Sequence, residues 1–137
     1  MSVECIEKDG TVFAEVIRAE TKVKITRFFS APESSFQFGL LAHGAGFEEA
    51  PHYHHPFKRE INDLQQVFVM QRGVVAVDIY DNDRNHLKEI ILRQGDAIVL
   101  ARGIHGLRVI EDFQAISVKQ GPFLGTEFDK VMVEVTK

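Results

Sequence analysis

Turn-forming residues recur so often along this chain that little room is left for helices. Asp9-Gly10, Ala31-Pro32, Gly44-Ala45-Gly46, Pro51, Pro56, Arg72-Gly73, Asn82-Asp83-Arg84-Asn85, Gln94-Gly95-Asp96, Gly103, Gly106 and Gly121-Pro122 cut it into strand-length pieces. Glycine reaches positive φ without steric cost, proline removes a backbone donor, and Asn and Asp tolerate the left-handed region. Within the pieces the apolar side chains alternate. Phe36, Phe38, Leu40 and Ala42 share one side with Gln37, Gly39 and His43 opposite. Leu64, Gln66, Phe68 and Met70 share another, which makes Gln66 the polar member of an apolar row. A period of two is the signature of a half-buried strand. Val74 to Tyr80 and His86 to Leu92 flank Asn82-Asp83-Arg84-Asn85 as a hairpin, and Asp96 to Leu100, His105 to Ile110 and Phe113 to Lys119 continue the series. Many short strands at this spacing predict an all-β antiparallel sandwich or barrel.

No repeat, linker or low-complexity run divides the chain, so residues 1–137 read as one domain. Sixteen basic and twenty acidic residues give a net charge of −4 with histidine neutral, and the basic residues are scattered. Nucleic acid is therefore not an expected partner. The single cysteine, Cys5, has no partner for a disulfide and cannot build a thiolate zinc site, which fits a reducing, cytoplasmic location. The N-terminus carries acids rather than an apolar core, and no stretch approaches the length of a membrane span. No membrane association is expected.

Three of the six histidines lie within Pro51-His52-Tyr53-His54-His55-Pro56. On an extended backbone residues two apart point to the same side, so His52 and His54 can converge on one ion while Tyr53 and His55 point away. A helical His-x-x-His pair is disfavoured by the bracketing prolines. His105, in Gly103-Ile104-His105-Gly106, is the best-placed third imidazole. His43 and His86 suit the role less well, and His86, directly after a turn, is expected to be solvated. Imidazole binds zinc, iron, copper and nickel alike, so the ligand type does not name the metal.

The same residues resemble the cupin family. Gly46, five residues, His52-Tyr53-His54, then Gln66, six residues and Gly73 follow its first motif, with Gln66 where cupins carry glutamate. Gly95 to His105 resembles the second motif, with Ala101 replacing its proline and one residue fewer before the histidine. Val118-Lys119-Gln120-Gly121-Pro122-Phe123 and His55 to Glu60 resemble a branch of small single-domain bacterial cupins. The likeness covers about residues 36 to 130.

The resemblance implies a double-stranded β-helix, or jelly roll, commonly a homodimer, whose mouth holds a divalent transition metal such as Zn, Fe, Mn or Ni. His52, His54, Gln66 and His105 would be its ligands. The amide oxygen of Gln66 leaves the site one unit more positive than a carboxylate would. Three readings of function follow: an enzyme acting on a small polar organic or sugar-derived substrate at this metal, a metal-independent nucleotide-sugar isomerase or epimerase with His52 or His54 as base, which Gln66 favours while His105 favours metal, and a non-catalytic ligand-binding cupin. Glu60 stands as a fallback ligand or base, while Tyr53, Asp78, Tyr80 and Lys119 are candidate pocket residues. Phe28, Phe29, Phe36, Phe38, Phe68 and Phe113 could form an apolar cavity or a seam. No nucleotide-binding glycine loop occurs.

Overall fold

The structure, a computed structural model, describes residues 3–136. Its strands are β1 (Val3–Lys8), β2 (Thr11–Ile17), β3 (Arg27–Phe28), β4 (Gly39–Leu40), β5 (Gln66–Tyr80), β6 (His86–Leu92), β7 (Ala97–Leu100) and β8 (Ile104–Lys119), followed by one helical turn, α1 (Thr126–Asp129). The six-stranded sheet has the order β1-β2-β7-β5-β6, with β8 also paired to β5, and every pairing in it is antiparallel. Strands make up 46% of the chain and helix 3%, and the sheet curls strongly into a half-barrel. The all-β, antiparallel expectation holds at that level.

β5 organises the sheet. Its first arm, Gln66 to Val69, lies between β7 and β8, whereas its second arm, Val75 to Tyr80, lies between β6 and β8. The arms meet at Gly73, where the register against β8 shifts three times between Met70 and Val75. Gly73 has φ 85°, and a Cβ there would sit 2.2 Å from the Asp112 carbonyl oxygen and 2.5 Å from the Phe113 Cα. Only glycine permits that backbone to lie against β8 while turning through the left-handed region. The sequence divides this stretch into two strands, as it does His105 to Ile110 and Phe113 to Lys119. The structure instead has two long strands, because bulges bend a ladder without ending it.

Alternation then assigns the two faces. Met70, Val75, Val77, Ile79, Ile90, Leu92, Ile98 and Leu100 pack with Val16, Ala14 and Ile6 on the concave side. Each fully buried side chain of this size contributes about 1.5–3 kcal/mol. On the other face Ile17, Phe38 and Val99 are buried with Phe29, Phe36 and Val67 packed against them. The six phenylalanines therefore do not form one cavity: Phe29, Phe36 and Phe38 cover the outer face, Phe68 joins the concave core, and Phe28 and Phe113 are exposed.

Two segments depart from the sequence expectation. The strand read at Phe36 to Ala42 is reduced to Gly39–Leu40, paired only with Arg27–Phe28, because Phe36 and Phe38 pack onto the sheet rather than extend it. Residues 41–65 contain no regular strand and are exposed apart from Ala42 and Gln65. His52 and His54 consequently lie on an irregular connection.

Candidate functional site

Pro51 and Pro56 keep the histidine-rich connection out of helix and deny it ladder hydrogen bonds. Within it His52 and His54 stand edge to face, with ring centroids 5.3 Å apart. The His52 Nδ1–H donates to the Ala50 carbonyl at 2.8 Å. That bond fixes the orientation of the ring and leaves Nε2 as the atom a metal would use. Glu49 Oε1 lies 3.2 Å from the same Nε2. Sequence reading passed over Glu49 in favour of Glu60, which is exposed; the available signal was the three-residue spacing of Glu49 and His52.

The other two sequence-selected residues lie on the sheet. Gln66 opens β5 opposite Lys119 and Leu100, on the same side as Phe68 and Met70. His105 opposes Ile79, on the same side as Val77 and Val75. Register therefore turns both toward the concave face. The Gln66 amide nitrogen donates to the Ser117 hydroxyl at 2.8 Å. His105 is exposed in area yet crowded by protein atoms: loss of hydration, and then the Lys130 ammonium, hold its imidazole below the ordinary histidine value. Both effects favour the neutral imidazole over the charged one.

The structure brings His52 to His54 and sets Gln66 and His105 on one face. Among the described residues no three His, Cys, Asp or Glu side chains gather closely enough to hold a metal ion. His43 stands apart, stacked on Phe47 at 3.8 Å. Of the candidate pocket residues, Lys119 pairs with Asp129 at 2.9 Å, Tyr80 is buried with its ring 5.2 Å from that of His86, and Tyr53 is exposed.

His86 departs from the solvated role expected of it. Its Nε2 lies 3.1 Å from Asp78 Oδ1, and Arg108 Nε donates to Asp78 Oδ2 at 3.1 Å. The Asp78 side chain is only 3% exposed, and Arg108 also pairs with Glu89. Each buried carboxylate oxygen thus meets a donor, which is what keeps Asp78 tolerable inside the sheet.

Compared with protein-family models, with characterised proteins and with solved structures, the chain shows no match.

Proposed function

We propose that this protein is a small cupin-type jelly-roll protein that binds a divalent transition metal and acts on a small polar organic or sugar-derived substrate. The carrying observation is the His52–His54 pair, with ring centroids 5.3 Å apart and the His52 ring oriented by its Nδ1–H bond to the Ala50 carbonyl. Two imidazoles, with Glu49 beside one of them, supply the nitrogen and oxygen donors that zinc, iron, manganese or nickel take. Gln66 and His105, both on the concave face, are the remaining ligands in this reading. A bound ion would supply Lewis acidity toward a substrate oxygen or water. The protein's own part is to orient the imidazoles and to leave a coordination position open. The homodimer belongs to the same reading, with the open edge of β8 as the surface on which two copies meet.

Elemental analysis of protein purified without chelator, beside a His52→Ala/His54→Ala double variant, tests the reading. About one metal per chain, lost in the variant, is expected. Equal emptiness of both proteins after metal reconstitution would remove it.

One observation favours a second reading. A concave-face imidazole kept neutral, as His105 is, can accept a proton at neutral pH without a metal, which suits a nucleotide-sugar isomerase or epimerase using histidine as base. Isomerisation by chelator-treated protein that disappears in His105→Gln would select this alternative.

A further inference from the structure

On the face of the sheet away from the concave core, a cleft of about 320 Å³ lies between the strands and the segment around Ser30 to Phe36. That volume is at the lower end of the ~300–1,000 Å³ typical of small-molecule sites. Phe29, Phe36 and Val99 make it apolar. Two of its lining side chains carry opposite charge: Glu15, whose backbone pairs with Val99, and Arg102.

Glu15 is half-buried, its carboxyl makes no hydrogen bond or ion pair among the described residues, and lost hydration pushes it above the ordinary glutamate value. A desolvated carboxyl without a partner costs stability unless something supplies a donor. Arg102 is tied only loosely, its Nε 3.6 Å from Asp63 with both side chains about half exposed. Such a pair contributes little and is readily exchanged for a better acceptor. The Arg102 backbone N–H reaches the Phe13 carbonyl at 3.3 Å, two positions along β2 from Glu15, so the charged residues start roughly 7 Å apart along the strand.

We propose that this cleft binds a small zwitterion of the α-amino-acid type. Its ammonium meets Glu15, its carboxylate meets Arg102, and its apolar side chain lies against Phe29 and Phe36. The arrangement does not use His52, His54, Gln66 or His105, so it stands or falls separately from the metal reading.

The test titrates the full-length protein with leucine and phenylalanine, and with the amine and the carboxylic acid that each leaves when one charged group is removed. Binding is followed by calorimetry and by the alkylation rate of Cys5, whose thiol lines the same cleft. At least one of the two amino acids is expected to bind and to slow Cys5 alkylation, with its single-charge analogues each weaker by about tenfold or more. Glu15→Gln and Arg102→Gln are expected to weaken that amino acid by a similar factor. Glu15→Gln removes a penalised carboxyl, so unfolding does not account for its loss. Failure of both amino acids to bind at millimolar concentration, analogue affinity equal to that of the parent, or unchanged affinity in both variants would each overturn the proposal.

Discussion

Gln66 and Ser117 are joined across β5 and β8 by a hydrogen bond in which the side-chain amide nitrogen is the donor, and this leaves the side-chain amide oxygen of Gln66 with no partner among the described residues. The free atom is the one an amide uses toward a cation. If it completes a metal site, Gln66→Glu supplies a full negative charge at the same place. Metal affinity should then rise by about tenfold or more, read by competition against a chromophoric chelator. An unchanged affinity would show that the Gln66 side chain does not reach the ion.

Asp78 gives a prediction about stability. Its two oxygens hold His86 and Arg108; removing it leaves His86 without this partner and Arg108 with Glu89 alone. Breaking a fully buried pair costs about 3–5 kcal/mol, but Arg108 is about half exposed and regains water. Asp78→Ala should therefore cost about 2–3 kcal/mol by urea denaturation. Asp78→Asn, which keeps the volume and one acceptor, should cost about 1–2 kcal/mol.

The same cluster shows where sequence reading stops. Alternation located the β5–β6 hairpin, but it could not see that the register slips between Ile79 and Tyr80, so that His86 rather than Leu87 opposes Tyr80. One inserted residue moves a side chain to the other face, and His86 arrives beside Asp78. Gln66 and His105 were legible because their strands keep the period and their register holds. His52 and His54 were legible as a pair, yet their backbone was not, since residues 41–65 make no ladder that alternation could report. The Glu15 cleft was invisible because it depends on where the segment around Phe36 packs against Val99, a contact far apart in sequence.

Asp81 sets an acid limit on stability. Its carboxylate accepts from Lys8 Nζ at 2.7 Å, from the Asn85 side chain at 3.0 Å, and from the backbone N–H groups of Asp83 and Asn85, each at 2.9 Å. The Lys8 hydrogen bond leads these in holding it well below the ordinary aspartate value. A folded-state value below the unfolded one gives stability that is present above the unfolded pKa and is lost as pH falls toward the folded one. The urea midpoint should thus begin to drop as pH falls through about 4. Asp81→Asn should be less stable at neutral pH and show a flatter acid limb, with the two curves converging below that pH.

His105 acts in the same direction at a higher pH. Its folded-state value lies below the ordinary histidine value, so the unfolded chain takes up the proton more readily. The stability this contributes is complete above about pH 6.5 and declines as pH falls through the folded value. His105→Gln cannot protonate, so its midpoint should decline less steeply than that of the wild type as pH falls below about 6.5. An identical slope in both proteins would mean that His105 is as well hydrated when folded as when unfolded.

β8 supplies the last prediction. Leu107 and Val109 face the concave side of the ladder, Ile116 and Val118 lie on β8 beyond its bulges, and all four are exposed. Among the described residues β8 pairs with β5 alone, which leaves its other edge open along Ile104–Lys119. Apolar side chains on both faces of its two ends are the pattern of a strand with neighbours on both sides, and an open edge invites pairing with another chain, although Arg108, Glu111, Asp112 and Lys119 place charge along this one. If that neighbour is a second copy, the wild-type protein should associate with rising concentration in sedimentation experiments. Ile116→Lys and Val118→Lys would place a charge on the edge that a partner strand would have to bury, shifting the protein to monomer. Both side chains are about half exposed in the chain itself, so the urea midpoint should change little. A wild type that stays monomeric throughout would rule out self-pairing at this edge.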